Sequence, residues 1–419
     1  MIVGLDDTDS RTRGMCTTYL AALIAENVDG TVTERTLVRL NPNVPYKTRG
    51  NACLSFHVDS SDPDGVKETV MDLVEEYAVF EDGDTNPAVA FLDQDRAGGK
   101  LSRFTRETVR DVKSREEPHE VADVLDIDLR SYGNGRGAIG AVAALGSHGY
   151  LERFGDWTYE LIAYRDRDRW GESREVDYES FFEASVNTYP DVWDTVDRNS
   201  GSVVAVPSTP GPIIYGLRGG FEDVWRANSY VESGVVDHVA VYWTNQGTDS
   251  HLVESPEILE NWRSYRLVGE VTKPPENREG GHVFFSTEIL DTGDTLECAA
   301  FEPTKGFRDV VRGLRVGDGI EVCGGLREGT LNLEKIRITD LNNLELRNPV
   351  CTDCGNSMES AGRNQGYRCR DCGNKADTKE AVEVERSLDE GWYEVPPSAR
   401  RHIAKPLVRG GFSDPHLSR

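Results

Sequence analysis

Lysine is scarce in this chain: its 419 residues include only ten Lys, beside 37 Arg and 73 Asp and Glu, for a net charge of −26. A polyacid repels nucleic acid at low salt, so the bulk composition excludes a partner held by a generally basic surface. The same surface suits a salt-rich cytoplasm, where screening at ~1 M shortens the reach of charge to about 3 Å and the repulsion largely vanishes. We read the acidity as halophilic adaptation, which makes the few basic clusters informative. Long apolar runs are missing as well, and the N-terminus lacks a secretory pattern, so the expectation is a cytoplasmic protein without a membrane partner. A disulfide framework is also absent, because Cys16, Cys53, Cys298 and Cys323 are scattered and the other four Cys form a metal-like pattern. The length suits three or four modules.

What is present begins at the first residues. Ile2, Val3 and Leu5 read as a short buried strand that runs directly into Asp6, Asp7 and Asp9. Clustered acid at a strand end is expensive without a cation, and Mg2+ takes one or two carboxylates while leaving coordination positions for substrate phosphates. Gly14 follows, then Thr17 and Thr18 entering the helical run 19–26, where hydroxyls and free N–H groups suit a phosphate. The alternative is a solvated acidic loop with Thr17 as an ordinary helix cap.

Strands are expected over 32–40 and 52–58. The loop between them carries Lys47 and Arg49 beside two prolines and reads either as a phosphate grip or as a solvated hairpin loop. A helix over 64–78, a strand over 88–92 and a helix over 102–112 complete a strand, helix, strand, strand, helix, strand series, the ferredoxin-like order. Residues 131–140 then pack four glycines around Arg136, with Gly135 and Gly137 flanking it, ahead of a helical 141–145. As a phosphate-cradling loop this is weak, since no Rossmann unit precedes it.

Strands over 156–165, 203–206 and 236–244, a proline-stiffened approach over 209–218 and a helix over 221–231 make a second α+β module. Its exit, residues 244–251, gathers amide, hydroxyl, carboxylate and imidazole groups. Five short strands between 265 and 338, broken by a helix over 307–314, read as a small Greek-key barrel of the OB type. Such barrels usually bind single-stranded or folded nucleic acid.

Cys351-Thr-Asp-Cys354 and Cys369-Arg-Asp-Cys372 are two CxxC pairs, each followed by Gly. Four thiolates in this spacing hold a structural Zn2+ tetrahedrally, with no open coordination position. Arg363, Tyr367 and Arg368 lie between them, and Arg400 and Arg401 stand in a basic, aromatic tail; both clusters are expected to meet RNA, the alternative for the tail being a packed C-terminal extension.

Gly-Leu-Asp-Asp-Thr-Asp-Ser with Gly-Met-Cys-Thr-Thr-Tyr-Leu, Pro45-Tyr-Lys-Thr-Arg-Gly-Asn51, Gly-Arg-Gly-Ala-Ile-Gly-Ala, Tyr-Gly-Leu-Arg-Gly, Thr-Asn-Gln-Gly-Thr-Asp and Pro-Pro-Ser-Ala-Arg-Arg-His run in order through nearly the whole chain. Together with the barrel and the ribbon they resemble the archaeal tRNA(Ile2) 2-agmatinylcytidine synthetase family. The resemblance implies a multidomain α+β protein: a threonine/cytidine kinase-like domain over 1–130, a ferredoxin-like domain over 131–250, an OB fold over 262–346, a zinc ribbon over 349–375 and a C-terminal extension over 376–419. It implies an ATP-dependent ligase that joins agmatine to C2 of the wobble cytidine of tRNA(Ile2), meeting the anticodon region and the acceptor stem. Asp6, Asp7 and Asp9 would hold Mg2+ and the ATP phosphates, with Lys47, Arg49, Gly135, Arg136 and Gly137 nearby, and Thr17 or Thr18 would be phosphorylated. Agmatine, a diamine-like cation, needs carboxylates and carbonyls, for which Asp156, Thr244, Asn245, Gln246 and Asp249 are candidates. The rival reading is a non-catalytic single-stranded nucleic-acid-binding protein built on the barrel and ribbon, which leaves the strand-end aspartates without a purpose.

Overall fold

The computed structural model describes residues 1–47 and 50–418. β1 (Ile2–Asp6), α1 (Thr17–Asn27), β2 (Thr31–Arg39), β3 (Ala52–Asp59), α2 (Pro63–Tyr77) and β4 (Ala88–Leu92) follow the expected order. They build a sheet in which β3 lies between β1 and β2, and β4 pairs with the other edge of β1. Val3 and Leu5 face α1 and α2, burying Leu20, Ile24, Val66, Val70 and Val74 around them. Each such side chain contributes about 1.5–3 kcal/mol by leaving water.

The other face of β1 receives a helix. After α3 (Gly99–Arg110), α4 (Glu117–Leu125) and β5 (Asp128–Ser131), α5 (Gly137–Leu145) crosses the sheet. A Cβ on Gly4 would stand 2.3 Å from the Ala141 carbonyl oxygen, so the helix approaches the strand as only glycine permits. The glycines of this region serve helix-on-strand packing as well as turns.

α6 (Ser147–Phe154), β6 (Thr158–Tyr164), α7 (Tyr178–Thr188), β7 (Val192–Trp193), the β8 (Val196–Asp197) and β9 (Ser202–Val203) pair, β10 (Ile213–Gly219), α8 (Phe221–Asn228) and β11 (His238–Thr244) form the second module. Two expectations change here. Residues 203–206 keep only the short β9, and the stretch read as an approach to a helix is the strand β10 from Ile213 onward. Its prolines, Pro210 and Pro212, precede the paired segment, where their missing N–H groups cost no ladder bonds. β11 also pairs in parallel with β2 through Trp243↔Thr36 and Thr244↔Leu37. The two modules therefore share one nine-stranded sheet, ordered β5-β4-β1-β3-β2-β11-β6-β10-β7.

β12 (Leu252–Glu254) leads to β13 (Ser264–Arg278), β14 (His282–Ile289), β15 (Thr295–Ala300), α9 (Phe307–Arg312), β16 (Gly319–Arg327) and β17 (Thr330–Asp340). β13 pairs with both β14 and β16, and β15 pairs with β17, which returns to β16, so the five strands close on themselves. Tyr265, Leu267, Phe285, Val322, Leu331 and Ile336 fill the interior. A stalk of β18 (Leu344–Arg347) and β22 (Glu380–Glu383) carries the small β19 (Glu359–Ser360), β20 (Tyr367–Arg368) and β21 (Lys375–Ala376) sheet. β23 (Gly391–Glu394) then adds to β17, with β24 (Pro415–His416) outside it. The result is a mixed α/β protein of several sheets. Among the described residues no helix is long and apolar enough to cross a membrane.

Candidate active site

β1 ends at Asp6, and the chain leaves the sheet with Asp7 in the left-handed region at φ 56°. Neighbouring loops hold the turn: the Asn86 N–H donates to Asp7 Oδ2 at 3.0 Å, and the Thr85 hydroxyl donates to the Asp9 carbonyl at 2.7 Å. A Cβ on Gly140 would lie 1.9 Å from Asp6 Oδ2, which presses α5 directly against the carboxylates. Burial lifts Asp6 well above the usual carboxylate range, and the charge of Asp7 adds to it. Burial also lifts Asp7 to about 6, opposed by the Asn86 amide and reinforced by the charge of Asp9. Carboxylates this crowded ionise together only beside a cation, and hard oxygen ligands suit Mg2+.

α1 begins beside them. Cys16, with extended backbone, precedes the first helical residue and makes no side-chain cap, so the first-turn N–H groups of Thr17 and Thr18 lack intrahelical acceptors. Thr17 is not the cap that the sequence suggests. Its hydroxyl oxygen accepts from Thr8 Oγ1 at 3.1 Å and from Thr8 N at 3.4 Å, tying the helix to the aspartate turn. Thr18 Oγ1 lies 3.0 Å from Cys16 Sγ.

Asp6, Asp7, Asp9, Thr17 and Thr18 line a cavity of about 640 Å³, within the usual size range of small-molecule sites. Lys47 lines it, its ammonium brought down to about 8 by burial and by the nearby Arg401 and Arg11. Arg136 also lines it, its guanidinium 3.7 Å from the ring centre of Tyr46. Gly135 and Gly137, which flank Arg136, do not reach the cavity wall. Arg49 lies outside the described residues.

Apart from Arg400, the rest of the lining was not legible as a site. Glu160 sits on an inward-facing position of β6, buried, with Arg218 at 3.1 Å and Arg39 at 3.6 Å. Arg39, Glu160, Arg218, Ser398, Arg400 and His402 all line the cavity. A signal for Glu160 does exist: an acid within the otherwise apolar Leu-Ile-Ala strand is buried only if paired.

The loop proposed for agmatine has another job. Thr244, Asn245 and Gln246 are fully buried, and neither they nor Asp249 nor Asp156 line the cavity. Asn245 bonds the Arg39 backbone in both directions, at 2.7 and 3.0 Å. The N–H groups of Gly247, Thr248 and Asp249 donate to the carbonyls of His402 and Ile403 at 2.8–3.1 Å. The Asp249 carboxylate meets Lys335 Nζ and Lys405 N, each at 2.7 Å. Asp156 pairs with Lys405 and Arg409. This segment clamps the C-terminal tail so that the tail forms part of the cavity wall.

The tail arginines differ accordingly from free phosphate contacts. Arg400 is buried between Asp194 and Glu394, the latter at 2.8 Å. Arg401, partly buried, bonds Asn43 at 2.7 Å and Glu334 at 3.2 Å. Arg363 and Arg368 on the ribbon are exposed, and Tyr367 packs against the cysteine cluster.

Cys351, Cys354, Cys369 and Cys372 place their Sγ atoms within 4.8 Å of one another, with closest pairs at 3.2–3.8 Å. Four sulfurs about 2.3 Å from one Zn2+ would stand about 3.8 Å apart, so the donor set fits that ion. The two knuckles repeat one geometry: Cys351 N bonds Asn356 O and Gly355 N bonds Cys351 O, as Cys369 N bonds Asn374 O and Gly373 N bonds Cys369 O. Gly355 and Gly373 take φ 75° and 77°, which the turn requires. Amides of the first knuckle, with Cys354 N–H foremost, bring the Cys351 thiol down to about 6, favouring the thiolate.

Three protein families match in order: TiaS TCKD domain over residues 2–134, TiaS FLD domain over 135–251 and TiaS C-terminal zinc ribbon domain over 348–388. The tRNA(Ile2) 2-agmatinylcytidine synthetase TiaS of Archaeoglobus fulgidus is 46% identical over 425 residues, covering 100% of this chain and 99% of the relative. The Haloquadratum walsbyi protein of the same name is 42% identical over 467 residues, covering 99% and 98%. The crystal structure of a TiaS-tRNA(Ile2)-ATP complex superposes with a TM-score of 0.91 at 46% identity, covering 100% and 99%. That of a TiaS-tRNA(Ile2)-AMPCPP-agmatine complex gives 0.88 at 43% with the same coverage.

Proposed function

This chain belongs to the tRNA(Ile2) 2-agmatinylcytidine synthetase (TiaS) family, and from that premise we propose that the cavity at the end of β1 is where it carries out the family reaction. The protein is an ATP-dependent tRNA-modifying ligase that joins agmatine to C2 of a cytidine of tRNA(Ile2). A binding protein without catalysis would have no use for three crowded, partly buried carboxylates lining a cavity of small-molecule size, and this single observation carries the assignment of the site.

The chemistry divides along the cavity. The C2 oxygen of cytosine leaves poorly until it is phosphorylated; an amine then forms the N–C2 bond as the C2–O bond breaks and phosphate departs. Phosphoryl transfer asks the protein chiefly to position groups and neutralise charge. Asp6, Asp7 and Asp9 would hold Mg2+, which when bound offsets the charge of the phosphate oxygens. The first-turn amides of α1, with Lys47 and Arg136, orient the phosphates. Of the two threonines, Thr18 is the better acceptor: the Thr17 hydroxyl oxygen accepts two bonds from Thr8, at 3.1 and 3.4 Å, whereas the Thr18 hydroxyl meets a weak sulfur partner, Cys16 Sγ at 3.0 Å.

The remaining units serve the RNA. We read the β1–β4 unit and the second module as ferredoxin-like, on the strength of their element order, and the closed five-stranded barrel as an OB fold, on its strand pairing. The zinc ribbon offers Arg363 and Arg368 to phosphates, while Arg400 lines the cavity and Arg401 ties the tail to Asn43 and Glu334. In a salt-rich cytoplasm the electrostatic share of binding is small, so stacking and shape supply much of the tRNA affinity. The assignment is tested by following terminal phosphate from labelled ATP, and labelled agmatine, into protein and tRNA. Wild type should show both transfers; loss of label from every macromolecule in the presence of all substrates would refute it.

A further inference from the structure

Glu160, Gln246 and His402 come from β6, from the loop after β11 and from the C-terminal tail, and they meet behind one wall of the cavity. The Gln246 side chain donates through Nε2 to Glu160 Oε2, a carboxylate that can only accept. That contact sets the amide's orientation and turns Gln246 Oε1 toward His402 Nδ1, 3.0 Å away. An amide oxygen at this distance calls for a proton on Nδ1. Arg39 Nη2 lies farther from the same nitrogen, at 3.4 Å, and is also drawn to Glu160. The ring is therefore the Nδ1–H tautomer, and its Nε2 carries a lone pair. His402 is solvent-accessible and lines the cavity.

We propose that His402 Nε2 is the base that takes the proton from the attacking amine, with Gln246 and Glu160 as its positioning residues. This rests on the cavity being the site of agmatine transfer. An alkyl amine loses its affinity for a proton as it bonds to C2, and at that moment a neutral imidazole can accept it. The N–C2 bond forms, the C2–O bond breaks, phosphate leaves with the electron pair, and the amine proton passes to Nε2 and then to solvent. Burial together with Arg218 and Arg39 holds the ring well below the usual histidine range, so it enters the step unprotonated. The charge of the departing phosphate offsets the two guanidinium groups when the imidazolium forms. The arrangement repeats the logic by which an acidic group orients a catalytic histidine, with an amide interposed.

The test separates this step from the phosphoryl step. Wild type, His402→Gln, His402→Gly and Gln246→Met are incubated with terminally labelled ATP, agmatine and tRNA, and phosphate label and agmatine incorporation are measured separately. His402→Gln can keep the contact with Gln246 but cannot take a proton. It should retain phosphate labelling while agmatine incorporation at saturating agmatine falls about 100-fold. Free imidazole should restore part of the rate to His402→Gly and none to His402→Gln. Gln246→Met should lower kcat for transfer about tenfold with KM unchanged. Normal agmatine incorporation in His402→Gln overturns the proposal, as does loss of phosphate labelling together with transfer, which marks a structural residue. Absence of both activities in wild type overturns instead the assignment of the cavity.

Discussion

Asp7 shows what a single residue contributes at this site. Its carboxyl is raised from 3.8 to about 6, so the metal-free fold prefers it protonated. The stability associated with that shift is fully present below about pH 4 and is lost as pH rises through about 6, on the order of 3 kcal/mol. We predict that Asp7→Asn gains stability over wild type as pH rises from about 4 to about 8 without divalent cation, and that Mg2+ abolishes the gain. Thermal unfolding of both proteins at several pH values checks it; a difference independent of pH would contradict it. Thr17 and Thr18 are adjacent but differ in contacts. Thr18→Ala should abolish protein phosphorylation with little loss of stability, whereas Thr17→Ala should loosen the aspartate turn by about 1 kcal/mol, as denaturant titration beside a phosphorylation assay would show. The aspartates and threonines were legible because a strand running into three acids and a helix start is a local pattern. Glu160 was not, because its partners Arg39, Arg218 and Gln246 come from three distant segments.

Among elements, the pairing of α5 with β1 has the most consequence for the site. Gly4→Ala puts a methyl 2.3 Å from a backbone oxygen, and Gly140→Ala puts one 1.9 Å from the Asp6 carboxylate. Overpacking of this kind costs about 1–3 kcal/mol. We expect both variants to be destabilised by about that amount, with Gly140→Ala also losing Mg2+ and ATP affinity while Gly4→Ala keeps more of it. Calorimetric titration of nucleotide onto each variant would decide, and equal nucleotide affinity in Gly140→Ala and wild type would contradict the contact. The four Cys of the ribbon were legible, since CxxC spacing is itself the coordination geometry, but its stalk was not, because β18 and β22 pair across the whole ribbon. The ribbon's folding free energy comes from the metal, so Cys351→Ser or a strong chelator should unfold residues 349–375 and weaken tRNA binding while leaving the barrel and the nine-stranded sheet intact. β10 was misread because prolines at its entrance resemble a loop until its partners β6 and β7 are known.

At the scale of the whole molecule, the barrel is joined to the cavity by buried charge. Glu334 on β17 meets His251 at 3.0 Å and Arg401 at 3.2 Å, and Lys335 beside it meets Asp249. Burial opposes ionisation of Glu334, yet His251, Arg401 and Lys335 together hold it at about 2, down from 4.5. A depressed carboxyl stabilises above its unfolded value, so this contribution, about 3 kcal/mol, should be present above about pH 4.5 and vanish toward pH 2. The stability difference between wild type and Glu334→Gln should shrink over that window, as acid titration at fixed denaturant would reveal. None of this junction was legible, because it joins residues about 67–86 positions apart in the chain. The same holds for the tail, whose basic and aromatic composition suggested an RNA-binding extension. Its backbone bonds to residues 247–249 bring it to the cavity wall. Whether the carboxylates at the end of β1 support the ligation is decided by the amount of 2-agmatinylcytidine formed in tRNA(Ile2) by wild type and by Asp7→Ala with ATP, Mg2+ and agmatine. Wild type should form the modified nucleoside and Asp7→Ala none, at undiminished tRNA affinity; a normal yield from Asp7→Ala would place the reaction elsewhere.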